Sequence, residues 1–149
     1  MRLATADDIE ALDWLQSLAR DGLTDARGGA LLLGESPAIV DWSAELDDDN
    51  VIVLVGTLLD VVLSFMVMEL RAEIDRGCIT NAFVEEGARE LGLGDTMVEH
   101  AKRAVRAAGL TGIEAVALPG DRNTKNLYER AGMTARKITV YKALPPLDG

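Results

Sequence analysis

Phe83-Val84-Glu85-Glu86-Gly87-Ala88-Arg89-Glu90-Leu91-Gly92-Leu93-Gly94 is the stretch around which the chain can be laid out. Before it, residues 79–84 form a short run of strand character. After it, residues 95–108 place Val98, Ala101, Val105 and Ala108 on one helical face and Lys102, Arg103 and Arg106 on another. The glycines, spaced Gly92-x-Gly94, let the backbone turn tightly with no Cβ in the way. A helix that starts there leaves its first N–H groups unpaired and its positive end forward, the arrangement that binds phosphate. Glycines also serve strand-to-helix turns for geometry alone, so by themselves they leave both readings open.

The fuller pattern Arg89-x-x-Gly92-x-Gly94 resembles the Gln/Arg-x-x-Gly-x-Gly/Ala signature of the GNAT superfamily of acyl-CoA-dependent N-acyltransferases. Val84-Glu85-Glu86-Gly87-Ala88-Arg89 looks like that family's strand end and loop. Leu127-Tyr128-Glu129-Arg130-Ala131-Gly132-Met133 looks like its C-terminal helix and turn. The match runs over residues 79–144, and the half before it fits in outline. No Gly-Lys-Ser/Thr follows, which excludes a P-loop, and the third glycine of a dinucleotide fingerprint is missing.

At 149 residues the chain has the size of one domain with a real core. Its 48% hydrophobic and 27% charged residues are ordinary for a globular protein, and with aromatics at 4% the core must come from Leu, Val, Ile, Ala and Met. The single cysteine, Cys78, cannot make an internal disulfide, which suits a cytoplasmic setting; as the opening of a strand it reads as a buried, inert thiol. Residues 1–8 bring acids before any apolar run and do not read as a signal peptide. Of the net charge of −10, the first fifty residues carry twelve acids and three bases, whereas residues 89–149 carry seven acids and ten bases. An acidic front disfavours nucleic acid as a partner. The basic remainder lies beside the glycine loop and suits a small anionic ligand, and the acidic half suits either a cationic amine or simple solubility.

In chain order, residues 3–5 read as a first strand. Asp7 or Asp8 caps a helix to about Arg20 with Ile9, Leu12, Leu15 and Leu18 as its stripe. Gly28-Gly29 breaks regular structure, and Ser36-Pro37 marks a helix toward Leu46. Residues 51–68 contain one charge, Asp60, and are long enough for a membrane span. Two β-branched runs around Gly56-Thr57 and Asp60 instead indicate a hairpin, 51–55 with 61–70, whose second strand is apolar on both faces and therefore central. Residues 114–118 read as a strand, Pro119-Gly120-Asp121 as a turn, 122–131 as a helix closed by Gly132, and 137–144 as a final strand. The elements read as one α/β domain, residues 1–149, and the resemblance implies a GNAT-type fold with a mixed, mainly antiparallel sheet flanked by helices. Residues 1–50 would supply acceptor-side helices and residues 79–144 the acyl-CoA-binding and C-terminal part.

The resemblance implies a direct transfer of an acetyl group from acetyl-CoA to a primary amine, a small molecule being favoured, without a covalent enzyme intermediate. The pyrophosphate would rest on the N–H groups of residues 91–95 and the pantetheine arm along residues 79–84, with the thioester at a gap between that strand and 114–118. Phe83, Val84, Arg89, Glu90, Leu91, Gly92, Leu93, Gly94, Asp95, Thr96 and Lys125 form the implied contact set. Tyr128 stands where the family places a tyrosine that protonates the departing thiolate; a tyrosine on a helix is otherwise half-buried packing. The family's asparagine seven residues earlier is Asp121 here, which suits a helix cap. The glutamate often found on the strand before the loop is missing from Ile79-Thr80-Asn81, so Glu85 is the candidate base, with Glu86, Glu69, Glu73 or a water chain as alternatives. His100, the only histidine, reads as a surface residue, and no cluster has metal-ligand spacing. Rival readings are a non-catalytic acyl-CoA-binding or protein-interaction module, or an enzyme acting on protein N-termini or lysines. Many members of the family dimerise, so a homodimer is compatible, although no stretch of this sequence marks an interface.

Overall fold

The computed structural model describes residues 1–148. Its sheet has five strands in sequential order: β1 (Arg2–Leu3), β2 (Val51–Leu58), β3 (Val61–Arg71), β4 (Arg76–Val84) and β5 (Gly112–Ala115). The first four run antiparallel to their neighbours, and β5 runs parallel to β4. Residues 51–68 are therefore a hairpin. It closes on Leu59 and Asp60, both at positive φ (50° and 66°), as a two-residue turn between right-twisted strands requires. Among the described residues no helix is long and apolar enough to cross a membrane.

β3 is the central strand, and its Phe65-Met66-Val67-Met68 run is buried from both sides. Leu54, Met66, Met68 and Ile79 face α4 (Leu93–Ala107) through its Met97, Val98, Ala101 and Val105; Leu127 and Tyr128 of α5 (Arg122–Arg130) close this core. On the other face Val53, Val55, Phe65 and Val67 meet Leu12 and Leu15 of α1 (Ile9–Leu23) and Trp42. Trp42 stands edge-on to Phe65, with ring centroids 6.0 Å apart. Strict alternation would put Val62 with Met66 and Met68. It packs with Phe65 and Val67 instead, because the β2–β3 register slips between Gly56 and Thr57 and skips Leu63.

Several boundaries depart from the sequence reading. Gly28-Gly29, read as a break, instead begins a helix, α2 (Gly29–Glu35), and the helix expected from Ser36-Pro37 is confined to α3 (Trp42–Asp47). Gly28, in the left-handed region at φ 82°, starts α2; Asp41 starts α3 by accepting from the Ala44 N–H at 3.1 Å. A better cap downstream thus moves the start by five residues. β5 ends at Ala115 rather than at residue 118, and residues 137–144 form no strand.

Candidate active site

The pairing of β4 with β5 covers only Arg76 to Ile79 against Gly112 to Ala115. Beyond that the two chains part. Residues 79–84 on one side and Val116 and Leu118 on the other become walls of a cleft of ≈ 790 Å³. Thr80 is skipped in the β3–β4 register, so a bulge bends β4 where it leaves β5. The main-chain groups along this edge of β4 have no strand beside them.

The loop after β4 winds through a short 3-10 turn, Glu86–Leu91, and Gly92 at φ 75° redirects it into α4. No side chain caps α4. Thr96 N–H bonds Gly92 O at 3.1 Å, as the first full turn requires, leaving the amides before it without a helical partner. The two glycines divide the work. Gly92 supplies the left-handed turn, and a Cβ there would meet nothing within 4 Å; a Cβ on buried Gly94 would lie 3.2 and 3.3 Å from the Leu127 methyls. Gly94 therefore lets α5 pack against the start of α4.

Phe83, Val84, Arg89, Glu90, Gly94 and Asp95 of the expected contact set line the cleft. Leu91, Gly92 and Leu93 form the turn behind them, with Thr96 Oγ1 donating to Gly92 O at 3.0 Å. Arg89 Nε donates to Val84 O at 3.3 Å, fastening the loop to the strand end. Asp95 is paired with Arg130 Nε at 3.0 Å and ties α4 to α5. Lys125 lies outside the lining, 3.8 Å from Glu129 on the exposed side of α5, while Asn123, Thr124 and Asn126 face the cleft.

Tyr128 lines the same cleft with 7% of its surface exposed. Burial pushes its phenol well above the ordinary range, and the nearby Asp121 carboxylate adds to this. Asp121 accepts from Thr124 N–H at 3.3 Å and starts α5 as a cap. Glu85 accepts from Gly87 N–H at 2.9 Å as the cap of its own loop and stands outside the lining of the cleft. Of its alternatives, Glu69 is paired with Arg71 at 2.6 Å and Glu73 sits in the short turn after β3; only Glu86 faces the cleft. His100 is half-buried on α4, its Nδ1 3.0 Å from Thr96 O, and lies away from the cleft. Cys78 is buried, its Sγ 3.2 Å from Glu114 Oε1, and its thiol is pushed up to about 11, by burial first and that carboxylate second.

The wall of the cleft contributed by the first fifty residues was the part the sequence left undefined. Gln16, Ala19, Arg20, Leu23, Ala26, Leu32 and Leu33 build it from α1, α2 and their connection. Arg20 is the one charged residue that residues 1–50 contribute, so the acids of that half do not line the cleft. Its guanidinium donates to Ser36 O and Leu33 O at 2.7 and 3.3 Å and holds the end of α2. Gln16, 6% exposed, exchanges two 2.9 Å bonds with the main chain of Ile39. A polar residue one step from the apolar stripe of α1 was the available signal for this clamp.

A splayed parallel strand pair, an uncapped helix start behind a left-handed glycine, and a tyrosine beneath both define a class of acyl-transfer protein. The sequence profile of the acetyltransferase (GNAT) family matches residues 10–133, and the chain belongs to that family. Acetyl-CoA is the acyl donor that goes with it. The fold matches the BH1408 protein from Bacillus halodurans, solved as a tetramutant, with a TM-score of 0.78 and 18% identity over 96% of this chain and 98% of that one. It matches AAC(6')-Iy in complex with the bisubstrate analogue CoA-S-monomethyl-acetylneamine (TM-score 0.74, 12% identity, 97% and 96% covered). The aminoglycoside antibiotic 6'-N-acetyltransferase AAC(6')-IG from Acinetobacter haemolyticus gives a TM-score of 0.68 at 15% identity, with 97% of each chain covered. A search of curated protein sequences returns no match.

Proposed function

We propose that this chain transfers an acetyl group from acetyl-CoA to the primary amine of a small molecule with an apolar body. The uncapped start of α4 opening on the same cleft as Tyr128 carries the reading. The pyrophosphate meets the free N–H groups at the start of α4 and its positive dipole end, and the pantetheine amides pair with the unpartnered edge of β4 beyond Ile79. N–H groups near Val84 polarise the thioester carbonyl.

The amine nitrogen attacks that carbonyl; a C–N bond forms and the C–S bond breaks. The nitrogen sheds a proton and the thiolate gains one. A phenol held above its ordinary range is a weaker acid than a thiol of pKa about 8.5, so full proton donation by Tyr128 alone is uphill. Its contribution is a hydrogen bond to sulfur as charge develops there, with the proton arriving from the nitrogen made acidic by C–N bond formation. No carboxylate stands on β4 to deprotonate the incoming ammonium. The apolar wall of α1 and α2 assists, since desolvation favours the neutral amine. That wall carries one guanidinium, Arg20, and no carboxylate, which disfavours a polycation such as the aminoglycosides named for the structural neighbours on that side of the cleft.

Calorimetric titration with acetyl-CoA, followed by thiol release across a panel of apolar amines, aminoglycosides and peptides, tests the reading. Binding with release on apolar amines is the expected result. Release on aminoglycosides or peptides alone would refute the acceptor class, and binding without release on any amine would favour a non-catalytic acyl-CoA binder.

A further inference from the structure

Glu86, Glu90, Asp95 and Asp121 are the carboxylates that line the cleft. Asp95 is paired with Arg130, and Glu86 and Glu90 belong to the 3-10 turn that leads to the start of α4. Asp121 stands elsewhere, near enough to Tyr128 for its charge to raise the phenol. The loop that carries it crosses to the wall built by the first fifty residues. A Cβ on Gly120 would lie 2.9 Å from Arg27 N, and one on Gly28 would lie 3.5 Å from Leu118 Cδ2. Asp121 N–H donates to Leu118 O at 3.0 Å and closes the turn, so the half-buried carboxylate is fixed where the two halves of the cleft meet. Its Oδ1 takes the Thr124 N–H at 3.3 Å, and Oδ2 takes no protein donor among the described residues. A helix cap does not need this charge, since asparagine, the family's residue here, caps equally well. The charge also carries a penalty: the field that raises the Tyr128 phenol opposes a thiolate forming beside it. A cation seated against Asp121 removes that penalty.

We propose that Asp121 receives the ammonium group of the acceptor through its free Oδ2 and sets that nitrogen beside Tyr128, which makes Asp121 the residue that selects a cationic amine. The inference rests on the transfer reading above and deepens it. The acceptor then meets two unlike surfaces, the apolar wall with Leu23, Leu32 and Leu33 for its body and one carboxylate for its charged end. Arg20, the other charged group on that side, donates to the carbonyls of Ser36 and Leu33 and does not compete for Asp121. The bound ammonium loses one proton to solvent and the neutral nitrogen attacks. As the C–N bond forms and the C–S bond breaks, the nitrogen becomes positive again and the sulfur negative. Asp121 stabilises the first charge, and Tyr128 hydrogen-bonds the second.

Calorimetry on the full chain saturated with CoA, titrated with a series of linear alkylamines and then with the alcohols of matching length, tests this without turnover. Each amine is expected to bind about tenfold or more tighter than its alcohol. Asp121→Asn, which keeps the cap and removes the charge, is expected to abolish that preference and leave the acetyl-CoA Kd nearly unchanged. In thiol-release assays the same variant should lose about tenfold to a hundredfold in kcat/KM. Asp121→Ser, another uncharged cap, serves the same purpose where the asparagine variant fails to fold. A wild-type chain that binds amines no better than alcohols, or binds neither, would overturn the proposal. So would a variant that keeps the preference, since Asp121 would then be a cap only. Acetyl transfer undiminished by Asp121→Asn would remove Asp121 and leave the transfer reading standing, whereas a preference for amines without thiol release from any of them would support the docking and refute the transfer.

Discussion

Gly92 and Gly94 sit two residues apart and should fail differently when replaced. Gly92→Ala imposes a left-handed conformation on a residue with a Cβ, at a cost of about 1–2 kcal/mol, with no atom to clash with. It should weaken acetyl-CoA binding in calorimetry while the protein remains folded. Gly94→Val drives a branched side chain into Leu127 and should lower the melting temperature, at a cost of about 1–3 kcal/mol, with lost binding as a secondary effect. Tyr128→Phe should reduce kcat by about tenfold to a hundredfold and leave the acetyl-CoA Kd nearly unchanged; equal loss in both would mean that the ring serves only as packing. Asp8 is a purely structural case. Its carboxylate, almost fully buried, takes bonds of 2.7 and 2.9 Å from the two guanidinium nitrogens of Arg2 and one of 2.8 Å from Thr5 N–H. The Arg2 hydrogen bonds come first among the causes that hold Asp8 below the usual carboxylate range. Because the folded value is the lower one, this stabilisation is complete above the unfolded pKa of about 3.9 and disappears as pH falls through the folded value. Asp8→Ala should therefore cost about 2 kcal/mol at pH 7 in denaturant titrations and much less below pH ~3.

At the scale of elements, β2, β3, β4 and the two long helices were legible because each carries a pattern of apolar residues, whereas the strand read at 137–144 does not form and the one read at 114–118 lies at Gly112–Ala115. The two-faced apolar run of β3 announced a central strand, and the 98-101-105 stripe announced α4. What escaped were features set by tertiary contact. The start of α3 depended on Asp41 rather than on Ser36-Pro37, and the side on which Val62 lies depended on a bulge that no alternation reveals. Within the site the glycine loop was readable as a motif, whereas Glu85 could not be recognised as the cap of its own loop without the 2.9 Å bond to Gly87. Helix α3, only six residues long, has one fully buried side chain, Trp42. Trp42, 2% exposed, fills the space between α1 and Phe65 and donates through Nε1 to Asp13 at 3.0 Å. Trp42→Ala should cost about 3–5 kcal/mol in thermal unfolding. Since Phe65 also lines the cleft, acceptor KM should rise more than the acetyl-CoA Kd in whatever fraction stays folded.

Across the whole molecule, charge and function are segregated. The acids of the first fifty residues, buried Asp8 among them, stay out of the lining of the cleft, to which that half contributes one charged residue, Arg20. In the proposed binding mode the donor phosphates meet amides, a helix dipole and the Arg89 guanidinium, since Arg130 and Lys125 are paired with Asp95 and Glu129. Acetyl-CoA affinity should accordingly be only mildly sensitive to salt, falling by less than about tenfold between 0.05 and 0.5 M in calorimetric titrations; a steeper fall would indicate that free side-chain cations hold the phosphates. The buried thiol of Cys78 has a practical corollary. With its pKa near 11 and a carboxylate against it, Cys78 forms almost no thiolate at neutral pH. A cysteine introduced anywhere on the surface would react with maleimide reagents far ahead of it, so fluorophores or spin labels can be attached at single chosen positions without first removing the native residue.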